Sequence, residues 1–198
     1  MSASGYNTET FTYSLNSLDT SNILLTRSLD PNEFNINLHW DAPRHDFDSH
    51  LYIYSNDQEV AHLSYNSGLP SGYSGDAKDA IEYPTGLDPR NYYTLDYDDD
   101  TSEDYLPADH RENTSGKFIS GLTYKFVVDD FDNRTNNTGN NDIKEQNCIV
   151  TITIGPATRR FQARNDITSG YEWEVFTIAE TSPNVWAITV GNNTEEIS

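Results

Sequence analysis

No stretch of this chain sustains the 3.6-residue hydrophobic period of an amphipathic helix, whereas short runs of period 2 recur along most of its length. The clearest runs are INLHW (36–40), HLYIYS (50–55), EVAHLSY (59–65), NYYTLDY (91–97), KFISGLTYKFVVDDF (117–131), CIVTITI (148–154), RRFQAR (159–164), YEWEVFTI (171–178) and VWAITV (185–190). Gly, Pro, Asn and Asp separate them. SNDQ, between Tyr54 and Glu59, reads as a tight hairpin turn. Gly121 marks a turn or bulge that splits its run into two strands. About nine or ten short strands at this spacing predict an all-β fold, an antiparallel β-sandwich with long acidic loops. At 198 residues the chain suits one such domain, expected over 31–198. Residues 1–30 are less regular and read as a linker, with FTYSL (11–15) as an edge strand.

Two stretches break the pattern: 66–90, rich in Gly, Pro and Ser, and 132–147, mostly Asn, Asp and Thr. Loops beyond about 12–15 residues are uncommon in compact domains unless they serve a function. No internal repeat recurs at a fixed period.

Charge narrows the partners. The chain carries 32 acidic and 12 basic residues, a net of −20. Phosphate recognition needs clustered Lys and Arg, so nucleic acid is excluded as an expected partner, and anionic membranes with it. No run approaches the roughly 20 apolar residues of a membrane span. The opening MSASGYNTET lacks the basic and apolar regions of a signal peptide, and the domain reads as a monomeric piece of a longer chain. A single cysteine, Cys148, lies in an apolar run and is expected to be a small buried hydrophobe, which excludes an internal disulfide framework.

The acidic residues cluster. LDYDDDTSED (95–104) places six carboxylates between Asp96 and Asp104, with no Lys or Arg among them. Two like charges about 4 Å apart repel by about 4 kcal/mol at an effective dielectric near 20. Either the segment splays into water or cations neutralise it. Calcium, which accepts 6–8 oxygens from flexible loops, is the natural neutraliser. Three segments supply candidate ligands: Asp46 and Asp48 in DAPRHDFDSHL (41–51); Asp96, Asp98, Asp99 and Asp100; and Asp129, Asp130 and Asp132 in DDFDN (129–133). Each stands at an expected strand end. A solvated acidic face is the competing reading.

The familiar local motifs do not fit. An EF-hand counted from Asp96 meets Thr101 at its sixth position and Pro107 at its twelfth, where Gly and Glu are required. A glycosidase-like carboxylate pair needs one carboxyl in an apolar pocket, which crowded Asp loops do not supply. The five histidines show no HExxH or HxH spacing; His39 and His62 read as structural, while His50, just after Asp48, reads as a residue lining a site. No GxSxG, GxGxxG or GxxxxGK[ST] motif is present.

Four ordered stretches, LHWDAPRHDFDSHLYIY (38–54), LDYDDDTS (95–102), GLTYKFVVDDFDN (121–133) and GYEWEVFTI (170–178), resemble a bacterial calcium-binding sandwich family. Within it, the chain is most similar to the peptide-binding, ligand-binding domain of long RTX adhesins. It departs from that pattern at 66–90 and 103–116. The resemblance implies a non-enzymatic extracellular module of the bacterial cell surface, stabilised by several calcium ions, that binds short peptides or surface proteins of another cell. A free C-terminal carboxylate would dock on bound calcium; a calcium-dependent glycan-binding sandwich is the alternative. Carried onto matching positions, Asp46, Asp48, Asp98, Asp99 and Asp100 would hold calcium, with Asp129 and Asp132 at a further site. Ser49, His50, Tyr65, Tyr92, Tyr93 and Tyr105 are expected to border the ligand, the tyrosines as rigid apolar walls with hydroxyl handles.

Overall fold

A computed structural model describes residues 29–41, 45–64, 79–80, 92–97, 110–136, 143–164 and 170–198, with 79–80 and 96–97 as strand backbone alone. Its strands are β1 (Glu33–Trp40), β2 (Phe47–Ser55), β3 (Gln58–Leu63), β4 (Asp79–Ala80), β5 (Tyr93–Tyr97), β6 (His110–Lys117), β7 (Thr123–Asp130), β8 (Ile149–Ile154), β9 (Ala157–Ala163), β10 (Glu172–Ser182), β11 (Val185–Val190) and β12 (Thr194–Ile197). One short helix, α1 (Phe131–Asn136), follows β7 directly. The expected 1–30 linker and FTYSL lie almost wholly outside the described residues.

The strands form two antiparallel six-stranded sheets, ordered β12-β9-β8-β1-β6-β5 and β11-β10-β7-β2-β3-β4. They pack on one another as the all-β sandwich that the alternation implies. Phe34, Ile36, Leu38 and Trp40 of β1 point inward, and Phe47, Leu51 and Ile53 of β2 answer from the other sheet with Tyr124, Phe126 and Val128 of β7. Trp40 meets Phe47 edge-on at 5.6 Å, a separation that aromatic pairs favour. Cys148 is buried and free, as a small core residue. Among the described residues no helix is long and apolar enough to cross a membrane.

Turn chemistry follows the sequence. Asn56 and Asp57 both adopt positive φ, 49° and 63°, in the two-residue hairpin between β2 and β3. That combination matches the twist of the flanking strands. Gly121, with φ 82°, lies in the turn between β6 and β7, where a Cβ would strain the backbone.

The 103–116 departure contains a strand that the alternation did not predict. β6 pairs with β1 from Glu33↔Lys117 to Trp40↔His110 and with β5 on its other side. Its inward positions are His110, Glu112 and Thr114, so no apolar period marks it. Glu112 is 1% exposed, and its Oε2 accepts the Ser49 N–H from the opposite sheet. Thr114 Oγ1 lies 3.4 Å from Ser49 Oγ, and the His110 ring stacks on Trp40 at 5.8 Å. A buried carboxylate persists where hydrogen bonds replace its water.

A second polar pair sits inside the sandwich. Tyr124 Oη accepts the Ile119 N–H at 2.7 Å and lies 2.8 Å from Tyr93 Oη. Burial pushes the Tyr124 hydroxyl up to about 12. Because the folded state favours the neutral phenol, its contribution is complete below pH 10 and is lost as pH rises toward 12. Tyr124→Phe is expected to lower stability by about 1–2 kcal/mol at neutral pH. In thermal melts from pH 9 to 12, the wild type should lose more melting temperature above pH 10 than this variant does; parallel declines would contradict the assignment.

Candidate metal centre

The pleat of β2 sends Phe47, Ser49 and Leu51 inward and Asp48, His50 and Tyr52 to the outer face. Register then sets their neighbours. Asp48 stands opposite Asp129 of β7, His50 opposite Val127 and Tyr52 opposite Lys125. Across the next strand, Asp129 stands opposite Glu172 of β10. Three carboxylates therefore cross three strands in one row, at the cross-strand spacing where like charges destabilise each other.

Asp48 and Asp129 are buried although they lie on the outer face. One ligand atom each from Asp48, His50 and Asp129 lies within 4.8 Å of the others. Arg134 of α1 donates from Nε to Asp129 Oδ2. Asp129 is 2% exposed, and its Oδ1 has no hydrogen-bond partner among the described residues. Burial raises the pKa of this carboxyl, with Arg134 acting in the opposite direction.

His50 is held from the other side. Its Nδ1 lies 2.8 Å from His62 Nε2 of β3, and its buried Nε2 has no hydrogen-bond partner among the described residues. Burial lowers His50 to about 3 and His62 to about 4, so both imidazoles are neutral at pH 7. The His62 ring stacks on Tyr52 at 4.1 Å and 11°, and Lys125 Nζ lies 5.3 Å from the centre of the Tyr52 ring. Strand order puts His62 and Lys125 on opposite sides of Tyr52. Asp129, one of the three ligands, also lines a pocket of about 400 Å³ with Lys125, Val127, Arg134, Tyr171 and Glu172, among others.

The other expected site residues fall elsewhere. Asp46 and Asp132 are tied together, Asp132 Oδ2 accepting the Asp46 N–H at 3.1 Å and Asp46 O accepting the Phe131 N–H at 3.1 Å. These bonds fasten α1 to the entry of β2. Asp130 caps α1, its Oδ1 and Oδ2 accepting the Asn133 N–H and side-chain amide at 3.1 and 2.9 Å. Ser49, expected at the ligand, faces the interior because its place in the pleat points there. Tyr93 likewise is a core residue, bonded to Tyr124, and half-buried Tyr92 packs against the same core. Asp96 lies in β5, in the other sheet, with its side chain outside the described residues. Asp98, Asp99, Asp100, Tyr65 and Tyr105 also lie outside them.

His62 and Arg134 carry no local signal of a site. Their roles come from strand order and from the reversal of the chain at α1.

Comparison with protein-family models and with curated proteins gives no match. Two solved structures resemble the fold. One is described as a protein of unknown function, SAV2460: 12% identity, TM-score 0.49, with 81% of this chain and 87% of that chain covered. The other is described as a homologue of the telluride resistance protein TerD, SCO6318 from Streptomyces coelicolor A3(2): 13% identity, TM-score 0.48, with 81% and 88% covered. At such similarity nothing about the chemistry of the site follows from either.

The two neighbouring aspartates should separate on substitution. In chelator-treated protein at neutral pH, Asp129→Asn is expected to melt no lower than wild type, because it relieves the crowding with Asp48 and Glu172. Asp130→Ala, which strips the cap of α1, should cost about 1 kcal/mol in urea or thermal unfolding.

Proposed function

We propose that the chain is a non-enzymatic, calcium-dependent ligand-binding module of a bacterial surface adhesin, gripping short peptides through a free C-terminal carboxylate docked on a bound divalent ion. The observation that carries this reading is the convergence of Asp48, His50 and Asp129, with one buried carboxylate oxygen of Asp129 lacking a hydrogen-bond partner among the described residues. A buried carboxylate oxygen with no donor carries the full desolvation penalty until a cation or proton meets it.

Charge supplies the mechanism. Asp48 and Asp129 together carry two negative charges, Arg134 one positive, and neutral His50 none. The centre is thus net −1, and a divalent ion turns it to +1. On a chain of net −20, that local inversion is what allows an anionic terminus to approach. Arg134, 43% exposed, borders the pocket with Lys125, and a guanidinium suits a carboxylate's paired oxygens. The residue behind the terminal carboxylate would enter the pocket along Val127 and Tyr171.

The glycan alternative draws less support at this face. Tyr52 is the aromatic ring nearest the centre on β2, and it is already stacked by His62 on one side and approached by Lys125 on the other.

Calcium at about 100 times its Kd would add about 2.7 kcal/mol, or about 5–10 °C in melting temperature. Chelator is expected to remove that gain and added calcium to restore it. An unchanged melt would remove calcium dependence. Free-terminus peptides should bind in array experiments and their amidated forms should not, while binding to a glycan array alone would favour the alternative.

A further inference from the structure

A calcium ion takes six to eight oxygens, and the acidic segments offer many of them. The centre on the outer face of β2 and β7 is different, because one of its three ligands is an imidazole. Imidazole with carboxylate is a donor set for zinc and its neighbours among the divalent transition metals, which bind nitrogen more strongly than calcium does. We propose that Asp48, His50 and Asp129 form a zinc-class centre, with His62 as the positioning residue that presents His50 Nε2 to the ion. This rests on reading the three residues as the cation centre of the proposed function and narrows the divalent ion held there to the zinc class.

The geometry assigns each group. His50 Nδ1 and His62 Nε2 share one proton across 2.8 Å. When Nδ1 carries it and donates to His62, His50 Nε2 presents a bare lone pair, and that nitrogen is buried with no hydrogen-bond partner among the described residues. Ligating histidines usually donate their second ring nitrogen in this way, which fixes the tautomer and the ring orientation. The Tyr52 ring stacked on His62 keeps the donor-acceptor pair in place. On the opposite side, Arg134 occupies Asp129 Oδ2 and leaves Oδ1 for the ion. Three protein ligands leave a fourth tetrahedral position open, where a water or the ligand's carboxylate would bind.

Isothermal titration of chelator-treated full chain with zinc chloride, calcium chloride and magnesium chloride tests the assignment. One zinc ion per chain is expected at this centre, at least tenfold tighter than calcium. His50→Gln should weaken zinc at least tenfold and leave calcium unchanged, and His39→Gln should alter neither. His62→Phe, which keeps a flat ring against Tyr52, should weaken zinc about tenfold or more, while His62→Gln, whose amide oxygen can accept from Nδ1, should largely retain it. Two-dimensional NMR of wild-type imidazole nitrogens needs no variant to fold: zinc should shift His50 Nε2. Calcium binding without zinc binding, or zinc binding that survives His50→Gln or leaves His50 Nε2 unshifted, would overturn the zinc-class centre and leave the calcium-dependent reading standing. Binding of no divalent ion would overturn both.

Discussion

The structure depends on the register between β2 and β7. Side chains alternate across a strand with period 2, so a slip of one residue would turn Phe47 and Leu51 to the surface and Asp48 and His50 into the core. Burial of Phe47, Leu51, Ile53, Tyr124, Phe126 and Val128 forbids that slip. The same constraint forces Asp48 and Asp129 to face each other. The hydrophobic core thus imposes a like-charge contact on the outer face, and the crowded carboxylates are a consequence of how the sandwich pairs.

Acidity in this molecule serves several ends that composition merges. Glu112 sits inside the sandwich and accepts a backbone N–H from the opposite sheet. Asp130 caps a helix and Asp132 anchors it to the start of β2. Glu196 pairs with Arg159 through two hydrogen bonds on the exposed edge. Those carboxylates have donors. Asp129 is buried on the outer face, where one oxygen accepts from a guanidinium and the other has no hydrogen-bond partner among the described residues. The distinction is one of partners and dielectric, not of residue type.

Much of the fold was legible. Alternation marked the strands around Trp40, Tyr52, Phe126, Ile152 and Phe176, because each has one face in an aromatic and aliphatic core. Positive-φ requirements marked the turns at Asn56–Asp57 and at Gly121. β6 was hidden because its buried positions, His110, Glu112 and Thr114, are polar and contact residues distant in sequence, Trp40 and Ser49. Of the residues singled out, Asp48, His50 and Asp129 converge on the outer face while Ser49 and Tyr93 face the interior, and His62 and Arg134, which contact that group, gave no sign.

Composition and period alone determined a β-sandwich of strongly acidic surface, with aspartates gathered at strand ends. They did so because pleat and turn chemistry are local and write themselves into neighbouring residues. Which aspartates meet, and whether they cap, anchor or converge, was decided only by strand order and register. Those pairings join residues about eighty positions apart, such as Asp48 and Asp129, and no local spacing encodes a contact of that range.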